Sequence, residues 1–256
     1  METEPGTRAA LVTGASGIGA STVRRLASSG WAVAVADIDA NALSTLGRDV
    51  TNLVTIHVDL TDADAGEEAV TTTIDRLGRL DAVINVVGIS GRTYGDGAIH
   101  EATEAGWRTV LDTNLMTTVG VCASAVRHMR NQGRGGAIVN TTSVLAYAPN
   151  ARFFETHAYA ASKGAIIALT RAMASSYAPD AIRVNAVAPG LIATPMSVRA
   201  QHDPDILAYV ADKQPLADGL GKPDDVADVI AFLIGNDARL VTGHVIEVAG
   251  GWSVRG

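Results

Sequence analysis

The sequence predicts an α/β protein built on one doubly wound parallel sheet with helices on both faces, as a single domain over residues 1–256. Three observations predict it. Strand-like and helix-like segments alternate from end to end. The strand segments are near-continuous apolar runs, as expected when both faces of a parallel sheet are covered. No linker-like break in composition, internal repeat or low-complexity stretch interrupts the series.

Residues 9–13 (AALVT) read as the first buried strand. A glycine-punctuated turn leads into a helical pattern that runs to Ser29 and stops at Gly30. "WAVAVAD" is the second strand and ends at Asp37. "LVTIHVD" is a strand, 64–77 a helix, and "LDAVINVVG" a strand. The stretch 101–131 is helical and "GGAIVNTTS" is a strand. A helix covers 157–178, "IRVNAVAPG" is a strand, 224–235 is helical, and "HVIEVAGG" closes the series. The longest irregular stretches, about 143–157 and 191–222, follow the carboxyl ends of strands. Ligands bind at those ends in open α/β sheets, which makes both stretches candidate substrate loops.

Composition excludes several function classes. The chain has 47% hydrophobic residues and a mean hydropathy of +0.19, which is globular rather than disordered. No apolar run reaches membrane-spanning length and "METEPGTRAA" lacks an apolar signal core, so a soluble, cytoplasmic protein is expected. A net charge of −7 without a basic tract argues against nucleic-acid and membrane partners. Cys122 is the one cysteine, so an intrachain disulfide is impossible. The six histidines show no metal-ligand spacing, and no metal is expected.

"LVTGASGIG" joins the first strand to the first helix. Free N–H groups and a partial positive charge at a helix N-terminus match a pyrophosphate, and glycines admit it closely. Gly14, Gly17 and Gly19, with Ser16 and Ile18 between them, are therefore candidate cofactor contacts. A glycine triplet alone also serves tight turns that bind nothing. Asp37, 18 residues after Gly19 and followed by Ile38, supplies the second signal. A carboxylate there accepts the adenosine ribose hydroxyls and repels a 2′-phosphate. No Arg or Lys in the loop or just beyond Asp37 would receive that phosphate, so the expected cofactor is NAD(H). The fold is then of the Rossmann type.

"HAYAASKGAIIALTRAMA" opens a helix with Tyr159 and Lys163 four residues apart, on one face. An ammonium beside a phenol favours the phenolate and lowers its pKa from about 10, which suits proton exchange with an alcohol or carbonyl oxygen. Ser143, at a strand end, is placed to orient that oxygen.

These pieces resemble the short-chain dehydrogenase/reductase family over essentially the whole chain. The matching motifs are "TGASGIG", Asp37, "HVDLTD", "NVVG", "LDTNL", "IVNTTS", "YAASK", "IRVNAVAPGLIATPM" and "VTGHVIEVAGGW". The resemblance implies hydride exchange with a nicotinamide cofactor and no metal in the chemistry. It implies Tyr159 as general acid/base, Lys163 as the residue that lowers its pKa and bonds the nicotinamide ribose, and Ser143 as positioner of the substrate oxygen. Asn114 would hold a relay water. Asp59, with Leu60, would face the adenine; the backbone around Asn85 and Gly88 would flank the adenosine ribose. Pro189, Gly190, Ile192 and Thr194 would line the nicotinamide side. A homotetramer or homodimer is implied, packed in many relatives through the helices at about 101–131 and 157–178.

Two departures bear on function. The glycine loop is one residue shorter than the family's TGxxxGxG, and the expectation is a tighter turn that still binds. Fifteen residues separate Ser143 from Tyr159, three more than the usual interval. That insert must bulge at the substrate mouth, which makes Phe153, Phe154, Glu155 and His157 candidates for the pocket. Phe153 and Phe154 can equally be a hydrophobic plug, and His157 can equally face solvent. Met196 lies in the lid-like segment 191–215. The expected reaction interconverts a small secondary alcohol and a ketone. The alternative is reduction of 3-oxoacyl thioesters on an acyl carrier protein, against which Asp37 and the sparse basic residues after Lys163 speak. A non-catalytic cofactor-sensing or scaffold role rests only on the short loop.

Overall fold

The structure, a computed structural model, describes residues 6–217 and 219–255. Seven strands form one sheet: β1 (Ala9–Thr13), β2 (Ala32–Asp37), β3 (Val54–His57), β4 (Ala82–Asn85), β5 (Gly136–Thr141), β6 (Ile182–Pro189) and β7 (Val245–Val248). Their order is β3-β2-β1-β4-β5-β6-β7, and every pair is parallel. The order reverses direction beside β1, so a crevice opens between the carboxyl ends of β1 and β4.

Alternate residues of each strand feed opposite cores. Ala9 and Leu11 of β1 face one side, where α3 (Ala65–Leu77), α5 (Thr117–Gln132) and α6 (His157–Tyr177) supply Val70, Val121, Met129 and Met173. Ala10 and Val12 face the other, against α1 (Gly17–Ser28), α2 (Ala40–Asp49) and α9 (Pro223–Ile234) through Val23, Leu26, Leu46 and Ile230. Both faces are dry, so the strands read as unbroken apolar runs. A smaller third cluster lies above the strand ends, with Ile206, Val210 and Trp252 fully enclosed.

Three elements differ from the sequence reading. The stretch after Asp37, given no element in the sequence reading, holds α2, capped by Asp39, whose carboxylate accepts from the Asn41 and Ala42 amides. Only Leu43 and Leu46 of α2 are buried, too sparse a pattern to announce a helix. The helical stretch 101–131 is two helices, α4 (Glu104–Leu111) and α5, joined by a wide π-helical turn at Asp112–Met116 that carries Asn114. The segment 191–222 is largely helical rather than irregular, with α7 (Val198–Gln201) and α8 (Pro204–Lys213). Asp203 caps α8, and Ile206 and Val210 present one apolar face. No helix of the described residues is long and apolar enough to cross a membrane.

The first turn of α1 lies hard against the glycine loop. A Cβ on Gly19 would run into the Gly14 carbonyl, which is backbone and cannot yield. Gly19→Ala is expected to lower stability by about 1–3 kcal/mol, read as the shift in the denaturant midpoint of the cofactor-free protein.

Candidate active site

A cleft of about 780 Å³ runs along the carboxyl edge of the sheet, from Asp37 to Trp252. Its first wall is the glycine loop. Gly14 and Gly17 adopt positive φ, +99° and +49°. The Asp37 carboxylate accepts the Ala15 N–H at 2.6 Å and the Asp39 N–H at 2.8 Å. Gly14 donates to the Ala36 carbonyl at 2.8 Å, so the short loop is tied twice to β2.

This loop fits the phosphates of a dinucleotide. α1 starts at Gly17 with no side chain capping it and no acid in its first turn, which leaves its first N–H groups for an anion. A Cβ on Gly17 would press on Thr194 at 2.9 Å, closing the cradle. The wall beyond Asp37 carries Ile38, Val58, Asp59 and Leu60, one of them a carboxylate and none a base. Asp59 accepts from the Thr61 amide and hydroxyl, which hold its carboxyl below the usual range.

The far half of the cleft holds Ser143, Tyr159 and Lys163 together. Ser143 lies just past β5, and the Leu145 amide donates to its Oγ at 3.2 Å. Its hydroxyl proton is thereby left to donate toward the cleft, and the hydroxyl favours the Tyr159 phenolate. Lys163 is buried and its Nζ donates to the Thr141 carbonyl at 2.9 Å. Burial pushes the Lys163 ammonium down to about 8. The phenol departs from expectation. Withdrawal from water pushes Tyr159 up, and the Ser143 hydroxyl only partly opposes it. Lys163 Nζ stands 5.7 Å from the ring centroid, and in this structure desolvation outweighs its attraction for a phenolate.

Of the other residues singled out in the sequence, Gly14, Ser16, Ile18, Asp37, Ile38, Asp59, Leu60, Gly88, Pro189, Gly190, Ile192, Thr194, Phe154 and Met196 line the cleft. Five do not. Gly19 sits behind the loop. Asn85 points into the core, where its amide donates to Asn140 Oδ1 at 2.9 Å. Asn114 is enclosed, its amide clamping the Ile89 N–H at 2.7 Å and the Ile89 carbonyl at 3.1 Å. Phe153 joins the third core, its ring 5.4 Å from Tyr209. His157 faces solvent in the first turn of α6, so neither it nor Phe153 touches the cleft.

Sequence reasoning missed three residues. Asp96 is buried, and its two carboxylate oxygens accept the Ala158 and Tyr159 amides, each at 2.9 Å. It caps the helix that carries the tyrosine from 62 positions upstream. The hint was negative: "ETHAYAASK" offers no acid in the first turn, and Thr156 makes no side-chain cap. Gln214 is fully buried and pins Leu191 through both its N–H, at 2.6 Å, and its carbonyl, at 3.1 Å. A Cβ on Gly190 would strike it, so that glycine serves packing as well as access. Arg92, in the turn after β4, lines the cleft opposite the lid.

The comparisons agree with this geometry. A family model described as enoyl-(acyl carrier protein) reductase matches residues 12–253. Cis-4-hydroxycyclohexanecarboxylate dehydrogenase of Sinomonas cyclohexanicum is 38% identical over 254 residues, 96% of each chain. A 3-oxoacyl-[acyl-carrier-protein] reductase of Thermotoga maritima is 36% identical over 246 residues, 94% of this chain and 96% of its own. The structure of a 3-ketoacyl-(acyl-carrier-protein) reductase from Brucella melitensis complexed with NADH superposes with a TM-score of 0.86 at 25% identity, covering 96% of this chain and 98% of that one. The chain belongs to the short-chain dehydrogenase/reductase family and is an oxidoreductase of the kind that uses a nicotinamide cofactor.

The Asp96 cap predicts a graded effect. Asp96→Ala is expected to cost about 1–2 kcal/mol in denaturant unfolding and to lower turnover, because the Tyr159 turn loses both acceptors. Asp96→Asn, which keeps one acceptor, is expected to fall between the two.

Proposed function

We propose that this chain interconverts a secondary alcohol and a ketone, with NAD(H) as hydride partner and Tyr159 as general acid/base. One observation carries the reading. Ser143, Tyr159 and Lys163 reach a single cleft whose other end is walled by the glycine loop and Asp37. When bound, the nicotinamide cofactor supplies the hydride acceptor or donor for the carbinol carbon. Gly14, Ser16, Gly17 and Ile18 would hold its phosphates, Asp37 and Asp59 its adenosine half, and Pro189, Ile192 and Thr194 its nicotinamide side. NAD(H) is favoured because two carboxylates and no cation face the position of a 2′-phosphate.

Ser143 donates its one hydroxyl proton toward the reacting oxygen beside the Tyr159 phenol. Tyr159 takes the alcohol proton during oxidation and returns it during reduction. Lys163 keeps at least two N–H donors beyond its bond to Thr141, and its charge favours the phenolate as the proton leaves. Asn114 holds the Ile89 backbone and Ser162 beside this lysine. The relative from Sinomonas, named for a ring secondary alcohol, supports this substrate class. The relative from Thermotoga supports a second reading, 3-oxoacyl thioester reduction, which assay with NADPH and an acyl-carrier substrate separates from the first.

Three outcomes are expected. NADH binds more tightly than NADPH by about tenfold or more in a tryptophan-fluorescence titration, and Asp37→Asn narrows the gap. Tyr159→Phe lowers kcat for ring secondary alcohols by about 10²–10⁴-fold with cofactor affinity retained; unchanged turnover would remove Tyr159 from the chemistry. The pH profiles of the two directions are opposed. Burial raises the phenol above its ordinary value of about 10, so alcohol oxidation, which needs the phenolate, climbs with pH through the alkaline range, while ketone reduction, which uses the protonated phenol, holds level until that phenol ionises.

A further inference from the structure

Two cations meet at the substrate end of the cleft, and neither forms an ion pair among the described residues. Arg92 comes from the turn after β4, and Arg199 from α7 in the lid. Both donate to one acceptor, the Phe153 carbonyl, at 2.7 and 3.0 Å. Phe153 lies in the lengthened segment between Ser143 and Tyr159. A third cation, Arg152, lies over the Phe153 ring at 4.7 Å. Among the described residues none of the three forms an ion pair, whereas seven of the other arginines do. The whole chain carries a net charge of −7, so this is a local reversal of sign.

A guanidinium has five N–H donors, and Arg92 and Arg199 each commit one to the described bonds. The Phe153 carbonyl is neutral and does not compensate two charges. The acids facing Arg92 are Asp96 and Glu155. Asp96 already accepts two helix amides, and Glu155 is exposed to water. Burial and the like charge of Arg199 both push the Arg92 guanidinium down, and Asp96 and Glu155 only partly oppose them. Both arginines line the same cleft as Ser143 and Tyr159. The wall between is apolar, with Leu145, Phe154 and Trp252.

We propose that Arg92 and Arg199 form an oxyanion-binding site for the substrate, so that the alcohol or ketone handled here carries a carboxylate or phosphate ester remote from its reacting carbon. The ligand would present its carbinol to Tyr159, its hydrocarbon body to the apolar wall, and its anion to the two guanidinium groups, which suit bidentate pairing with either oxyacid. The arginines come from opposite sides of the mouth, so an anion between them also draws the lid toward the β4 turn. This inference rests on the alcohol–ketone reading above and adds the charge of the substrate to it.

The test uses the full chain with NAD and ring secondary alcohols in matched pairs. Hydroxycyclohexane carboxylates are set beside their carboxamides, and cyclohexanediol monophosphates beside the parent diols. In one of the two series the anionic member is expected to exceed its uncharged partner in kcat/KM by about 100-fold. That series identifies the anion as carboxylate or phosphate. Arg92→Gln with Arg199→Gln is expected to collapse the ratio to within a few-fold, chiefly through KM. Arg92→Lys with Arg199→Lys, which keeps the charge, retains part of it. Added salt raises KM for the anionic member alone. Retained NADH binding shows that each variant is folded.

Equal turnover of charged and uncharged members by the unaltered chain overturns the proposal and leaves the alcohol–ketone reading standing. So does a preference that survives in the Gln variant. A variant in which both members fall together marks the arginines as a staple for the lid only and also overturns it. If no alcohol in either series turns over, the alcohol–ketone reading fails, and calorimetric titration of the same carboxylates and phosphates decides the anion site separately. Binding that the Gln variant loses supports the site; absence of binding to the unaltered chain overturns it.

Discussion

All seven strands run in one direction, and the site depends on that constraint. A parallel sheet places every strand's carboxyl end on one edge. Thr13, Asp37, Asn85, Thr141 and Pro189, which end five different strands, therefore arrive side by side. The register brings Thr13 level with Ala36 and Asn85, and Asn85 level with Asn140. Groups far apart along the chain share one cleft because the sheet admits one polarity.

Buried polar groups keep that edge in register. Asn85 donates to Asn140 Oδ1, and Asn140 donates to Thr170 Oγ1 at 3.0 Å, which joins β4, β5 and α6 inside the core. An amide withdrawn from water is costly unless partnered, so this chain of bonds tolerates little sliding of α6 against the sheet. Thr142 adds a second tie, donating to the Lys163 carbonyl at 2.9 Å. At the other end of the cleft the short glycine loop needs its own anchor, and Asp37 supplies it through the Ala15 amide. On the proposed reading one carboxylate then has two functions that compete: closing the loop and facing the adenosine half of the cofactor.

The mouth is held by different means. Phe153, Phe154, Tyr209 and Trp252 form a ring of aromatic contacts with centroids 5.4–6.3 Å apart. Such contacts bury apolar area without a backbone ladder, so the lid is attached to the body through side chains and a few hydrogen bonds rather than through the sheet. The insert before Tyr159 is what reaches across. It carries Phe153 to Tyr209, Phe154 to Trp252, and one carbonyl to two arginines.

The sequence by itself determined the architecture, because strand runs that are apolar on every residue have no place except between two dry layers. It also showed the glycine loop, Asp37, Ser143, Tyr159 and Lys163, since each depends on local spacing or on a strand end. Tertiary structure decided the rest. The helix at Ala40–Asp49 has only two buried residues, and its signal was too thin to read along the chain. Asp96 and Gln214 act on backbone groups brought near by folding, and no local pattern marks a cap supplied from 62 residues away. The enclosure that raises the Tyr159 phenol is likewise a property of packing: sequence places the lysine one turn away, but only the fold sets how much water remains. His157 and Phe153 are neighbours of Tyr159 in sequence, which leaves each open between the cleft and another place. The direction in which α6 begins turns one to solvent and the other into the lid core.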